Sequence, residues 1–292
     1  MSASPIPLLR FLLRCLAKLP FKCDVALMRA MTAPARKISL FLAKKILKRP
    51  PTTRILKSHT KIEVYPPKHQ THETTPILYV HGGAFGIHPP TEFLLAAELQ
   101  KRFPEATLYA LHYPLMPEAS YEEQRAACIN AFQYLKEEYG SLVLIGDSAG
   151  GNLALDLALS SRIDLNALKC LILISPFLKV HEFVENCVDP GLDYLVYVWL
   201  RRYARMYIDA GGPTTKQFSS ALKRVKLPPC TCFVGGNELI RDCASLLPVD
   251  EGVKVITESG EVHDYPFTPS DPLSQEGAWK QIFSFIRNNY NS

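Results

Sequence analysis

From about residue 60 onward, short apolar runs alternate with longer stretches in which apolar residues recur at helical spacing. The runs predict strands at Thr60–Tyr65, Pro76–His81, Ala106–Tyr113, Leu142–Gly146, Lys169–Ser175, Cys230–Gly235 and Val253–Glu258. Helices are expected between them over Glu92–Arg102, Tyr121–Glu137, Ala149–Ser160 and Ser274–Asn288. In the second of these, Cys128, Phe132 and Leu135 follow helical spacing. Leu142-Val143-Leu144-Ile145 is continuously apolar, as a strand buried on both faces should be. Strands alternating with helices argue for an α/β fold with a mostly parallel central sheet and helices on both faces.

One stretch breaks the alternation. His181–Tyr207 carries Phe183, Tyr194, Tyr197, Trp199, Tyr203 and Tyr207. It predicts a helical insertion over about 181–210, set above the sheet edge as a cap. The alternative is the packing of an ordinary crossover helix, since aromatic side chains favour cores.

The first fifty residues follow a different pattern. In Leu8–Leu19 the bases Arg10, Arg14 and Lys18 recur every four residues with apolar residues around them, a basic amphipathic helix. Arg14 interrupts what would be a secretory core, and no apolar run approaches the length of a membrane span. Three readings stay open: a cap helix over the site, a membrane-surface anchor, and a mitochondrial-type targeting peptide. Charge sharpens the division. Residues 1–57 hold thirteen Lys and Arg against the single acid Asp24, a net +12, while the remainder carries −7. Arg49-Pro50-Pro51 breaks any helix at the junction. The chain therefore divides into a basic segment, 1–50, and an α/β unit, 51–292.

Composition excludes several classes. With 47% hydrophobic and 21% charged residues the chain is globular, without repeats or low-complexity tracts. The eight cysteines include no C-x-x-C, so a metal site is not expected, and buried thiols in a reducing, cytoplasmic compartment are. No Asn-x-Ser/Thr acceptor occurs. Nothing suggests a nucleic-acid partner.

The chemistry lies at the strand ends. Gly146-Asp147-Ser148-Ala149-Gly150 is a G-x-S-x-G placed between an apolar strand and a helical stretch. That is the setting of a nucleophile elbow, in which a tight strand-to-helix turn presents the serine. Upstream, His81-Gly82-Gly83-Ala84-Phe85-Gly86 follows the strand at Pro76–His81. Glycines after a strand end can aim backbone N–H groups at a developing oxyanion. Gly82, Gly83 and the N–H of Ala149 are the expected oxyanion hole.

These two motifs resemble those of the hormone-sensitive lipase family of α/β-hydrolases, including the second glycine after the elbow, Gly151. His112-Tyr113-Pro114-Leu115-Met116-Pro117-Glu118 resembles the family's D-Y-R-L-A-P-E with three departures. The similarity runs from about Thr60 to the C-terminus, and the basic segment and aromatic insertion lie where that family places its cap. The resemblance implies an α/β-hydrolase fold with a helical cap and a serine, acid, histidine triad in that order. His263, after the last expected strand, is the histidine that topology selects. Val234–Asp242 resembles the family's V-G-x-D-E-x-L-x-D-D, which puts Glu238 at the triad position and Asp242 at the second-carboxylate position. Glu238 is the expected acid, with Asp242 as the alternative. Asn237 stands at a common Asp position and carries no charge.

The implied activity is a cofactor-independent serine carboxylesterase or lipase-like hydrolase. Its expected partners are short- to medium-chain acyl esters, acetyl esters included, of lipids or small molecules, and a membrane surface through the basic N-terminus. An amidase or formamidase would use the same residues. A non-catalytic receptor on a hydrolase fold is the rival from another class.

Overall fold

A computed structural model describes residues 6–47, 49–56, 59–69, 74–249 and 252–290. Lys48 of the basic segment and Lys57 beyond it lie outside the described residues. The strands are β1 (Thr52–Ile55), β2 (Lys61–Tyr65), β3 (Thr75–Val80), β4 (Ala106–His112), β5 (Leu142–Asp147), β6 (Leu168–Ile174), β7 (Cys230–Gly235) and β8 (Val253–Glu258). They form one sheet in the order β1-β2-β4-β3-β5-β6-β7-β8. β1 and β2 are antiparallel to their neighbours, and the pairs from β4 to β8 are parallel.

Alternate residues of the central strands feed opposite cores, as the two-residue strand period requires. Leu78, Val80, Leu144 and Leu171 pack on one face, and Ile77, Tyr79, Val143 and Ile172 on the other. The first core takes α4 (Tyr121–Tyr139) and α5 (Ser148–Ala158), and the second takes α3 (Thr91–Arg102) and α9 (Pro272–Tyr290). α4 opens with a capping box in which Ser120 and Glu123 satisfy each other's backbone N–H groups. Seven strands and four helices lie where the apolar pattern puts them. β1 is an addition; all four of its residues are exposed, so no burial pattern marks it.

The N-terminal segment forms α1 (Ile6–Leu16) and α2 (Phe21–Ile46), and the aromatic stretch supplies α6 (Val180–Asn186) and α7 (Tyr197–Asp209), with α8 (Thr215–Leu222) after it. The two pieces pack on each other. Buried Asp24 of α2 accepts from Trp199 Nε1 at 3.3 Å and Tyr203 Oη at 3.4 Å, and pairs with Arg202 at 3.1 Å. α2 is also tied to the sheet unit. Arg29 donates to the carbonyls of Gly86 and Met116 at 2.9 and 2.6 Å, in the loops after β3 and β4. Arg36 bridges the buried carboxylates of Glu63 and Glu92 at 2.8 and 2.9 Å.

Candidate active site

β5 ends at Asp147 and α5 begins at Ser148, so the chain turns from strand to helix within one residue. Ser148 takes φ 49° to do so. The turn needs glycine on both sides. A Cβ on Gly150 would stand 2.0 Å from the Val80 carbonyl oxygen, and one on Gly146 2.5 Å from that of Gly150. A non-glycine residue held at positive φ costs on the order of 1–3 kcal/mol and persists only where its surroundings fix it.

The loops after β7 and β8 bring two further side chains to the serine. Ser148 Oγ lies 3.0 Å from His263 Nε2. On the other side of the ring, Glu238 Oε2 lies 3.7 Å from Nδ1. The first distance is a hydrogen bond. The second is an electrostatic contact, of the loose kind that free enzymes often show before substrate tightens them. All three residues are buried. Asp242 lies apart from this group, with its carboxylate 90% exposed and Arg241 at 3.5 Å. Asn237 donates to the Gly260 carbonyl at 3.1 Å and is structural.

Three residues that sequence patterns did not single out complete the surroundings. Ser175, just after β6, donates to Glu238 Oε2 at 2.5 Å and accepts from the Asp264 N–H at 2.9 Å. Asp193, from the insertion, accepts from the N–H groups of Leu239 at 2.8 Å and His263 at 3.3 Å. One carboxylate thus fixes the backbone beside both the acid and the base. Asp264 places Oδ2 3.3 Å from His263 Nε2. A signal was available for two of them: Ser175 closes a predicted strand and Asp264 adjoins His263. Asp193 had none, because its partners come from loops far away in sequence.

The buried carboxylates set the electrostatics. Burial disfavours a charged imidazole, but the facing Asp264, Glu238 and Asp193 outweigh it and push His263 up from its ordinary value. Burial also raises the Glu238 carboxyl, with the facing imidazole of His263 and the hydrogen bond from Ser175 opposing the rise.

The loop after β3 corrects one expectation. The Gly82 N–H donates to Asp147 Oδ1 at 2.8 Å, and the Tyr79 hydroxyl donates to the same oxygen at 2.6 Å. Gly82 is therefore committed to the elbow aspartate and has no N–H to offer an oxyanion. The cause is a pairing between two strand ends that the H-G-G pattern does not reveal. Downstream, Gly83, Ala84 and Phe85 take φ 102°, 50° and 64° in succession. Among the described residues, no acceptor takes the N–H of Gly83 or Ala84. Ala149, fully buried, opens α5 beside Ser148. The loop is backed by His81, whose ring stacks on His88 at 3.6 Å and on Tyr113 at 4.3 Å. Among the described residues, no group of three His, Cys, Asp or Glu could hold a metal ion.

Comparison with known proteins agrees with the fold. Residues 77–266, more than half of the chain, match the model of a family described as having the alpha/beta hydrolase fold. The carboxylesterase/phospholipase LipF of Mycobacterium tuberculosis is 28% identical over 235 residues, which cover 72% of this chain and 61% of LipF. The chain thus spans less than two thirds of that relative. Among solved structures, a hyperthermophilic esterase from the archaeon Pyrobaculum calidifontis superposes with a TM-score of 0.72 at 21% identity, covering 94% of this chain and 96% of that one. An esterase from the bacterial hormone-sensitive lipase family gives a TM-score of 0.72 at 21% identity, covering 99% of each chain.

Proposed function

The chain belongs to the α/β-hydrolase fold family, and from that premise we propose that it is a serine carboxylic ester hydrolase that works through an acyl-enzyme. The observation that carries the reading is the 3.0 Å contact between Ser148 Oγ and His263 Nε2, with Glu238 on the opposite ring nitrogen. Ser148 attacks the ester carbonyl as His263 takes its proton. The N–H groups of Gly83, Ala84 and Ala149 receive the oxyanion, and the N-terminus of α5 adds positive potential. The C–O bond of the tetrahedral intermediate then breaks, and the departing alkoxide oxygen takes the proton from Nε2. Water repeats the sequence on the acyl-enzyme, and Glu238 holds the imidazole tautomer throughout. The intact serine–histidine contact favours an enzyme over a non-catalytic receptor.

The substrates in this reading are short- to medium-chain acyl esters of lipids or small molecules. Hydrolysis of p-nitrophenyl acetate tests it: Ser148→Ala and His263→Ala should each lose at least about a thousandfold in kcat. Activity retained in either variant would overturn the assignment.

The reading extends to a membrane surface. Leu27, Met31, Ile38 and Phe41 recur three, four or seven residues apart and are exposed along one side of α2, while Phe11 is 62% exposed on α1. Exposed Arg14, Lys18, Lys37 and Lys45 accompany them. An apolar stripe among cations fits the interface of an anionic bilayer. None of the described helices is long and apolar enough to cross a membrane. Leu13 and Leu16 are buried in the main core, which supports a resident helix over a targeting peptide. The protein then works as a peripheral enzyme on a cytoplasmic face, where its eight free thiols suit a reducing compartment. Wild type should sediment with phosphatidylserine vesicles at low salt, and Ile38→Asp/Phe41→Asp should not. Equal sedimentation of both would remove the membrane from the account.

A further inference from the structure

Asp264 makes and breaks no bond in the two-step acyl transfer, yet the chain holds it firmly at the reacting nitrogen. It sits at φ 53°, a region that Asp tolerates better than most residues. Its N–H donates to Ser175 Oγ at 2.9 Å, and its carbonyl accepts from the N–H groups of Phe267 and Thr268 at 2.8 and 3.0 Å. So anchored, Oδ2 lies 3.3 Å from His263 Nε2, the nitrogen that Ser148 Oγ reaches at 3.0 Å. The other oxygen, Oδ1, is buried with no hydrogen-bond partner among the described residues, and the residue is 7% exposed. A buried carboxylate with an unsatisfied oxygen is a standing cost unless something else completes it.

That cost changes during the reaction. While His263 carries the proton taken from Ser148, Oδ2 faces an imidazolium. When the tetrahedral intermediate collapses, the bond from the carbonyl carbon to the alkoxy oxygen breaks and Nε2 gives its proton to that oxygen. Asp264 then loses its cationic neighbour while Oδ1 is still unsatisfied. A hydrogen-bond donor on the departing alcohol replaces it. The alkoxy oxygen must come within about 3 Å of Nε2 to take the proton. A hydroxyl or ammonium on the next carbon of that alcohol can then approach Oδ2, which lies 3.3 Å from the same nitrogen.

We propose that Asp264 selects the leaving group. The preferred substrates are esters of alcohols that carry a hydroxyl or protonated amine on the carbon next to the ester-bearing carbon, as partial esters of polyols do. The proposal rests on the serine-esterase reading of the same site and names the class of alcohol it releases.

The test compares 2-hydroxyethyl acetate with propyl acetate, which differ by a hydroxyl in place of a methyl, by pH-stat. Wild type should favour the hydroxyethyl ester by about tenfold or more in kcat/KM, the worth of a hydrogen bond to a charged group, with much of the gain in kcat. Asp264→Ala should bring the ratio close to one, and Asp264→Asn, which keeps an acceptor without the charge, should fall between. A wild-type ratio near one overturns the proposal without any variant, and so does a preference that Asp264→Ala leaves intact. Labelling of Ser148 by a fluorophosphonate separates the two levels. A labelled enzyme without the preference refutes the role of Asp264 alone, whereas an unlabelled wild type refutes the esterase reading itself.

Discussion

Ser175→Ala is a demanding test of how the site is held, because one hydroxyl serves two loops. Its Oγ donates to Glu238 Oε2 at 2.5 Å and accepts from the Asp264 N–H at 2.9 Å. Losing the first bond removes a charge-assisted hydrogen bond, on the order of 1.5–3 kcal/mol, and losing the second strands a buried N–H at about 1–3 kcal/mol. Relaxation and shared partners make such losses less than additive, so about 3 kcal/mol is the expected destabilisation. Glu238, buried and already raised, loses one of the bonds that favour its ionised form and swings from Nδ1, so kcat should fall by roughly ten- to a hundredfold. Urea denaturation reads the first quantity and p-nitrophenyl acetate turnover the second. Ser175→Gly separates strain from bonding, since Ser175 sits at φ 43°. Glycine should recover up to about 1 kcal/mol of stability while the loss of kcat remains. A Ser175→Ala protein within about 0.5 kcal/mol of wild type, the ordinary range for an unimportant surface change, and within twofold in kcat would refute the reasoning.

Asp193→Asn should lower kcat by about tenfold or more, because an amide can accept from only one of the Leu239 and His263 N–H groups and must turn a donor towards the other; stopped-flow turnover with unchanged far-UV circular dichroism checks this. Asp264→Asn removes a carboxylate that, with Glu238 and Asp193, offsets burial and holds His263 above its ordinary value. The imidazolium loses a stabilising neighbour, so the acid limb of the kcat/KM–pH profile should move to lower pH; an unmoved limb would contradict it. Arg36→Ala strands Glu63 and Glu92, both buried, at about 3–5 kcal/mol, read by thermal or urea unfolding. Glu63 gives this a pH signature. Although burial opposes ionisation, His112 and Arg36 hold its carboxyl down at about 2. Its contribution is full above the ordinary glutamate range and is lost as pH falls towards 2. Arg36→Ala should therefore narrow the stability gap between pH 6 and pH 3.

The parallel core was legible because burial on both faces leaves continuous apolar runs, as in Leu142–Ile145, and the elbow because Gly146 and Gly150 are forced by close backbone approaches. The exposed, four-residue β1 had no such pattern. α2 was hidden for a different reason. Its outward face carries Leu27, Met31, Ile38 and Phe41, so the contrast that marks a surface helix is blurred, and Pro34 lies inside it. Within the site, residues acting through local backbone geometry were readable, and those acting through long-range pairing were not. The H-G-G pattern points Gly82 at the oxyanion because the strand-end partner of its N–H, Asp147, is 65 residues away. Asp193 reaches the Leu239 and His263 loops across 46 and 70 residues. Ser148 and His263, 115 residues apart, could be paired in advance only because the family resemblance fixes an order along the chain.

The central claim is that Ser148 is the nucleophile of an acyl-transfer enzyme. Intact-mass spectrometry after treatment with a fluorophosphonate tests it most directly. The account predicts one adduct per chain, mapped by peptide sequencing to Ser148, with no adduct on Ser148→Ala and much slower labelling of His263→Ala. An unmodified wild type, or an adduct on any other residue, would contradict it.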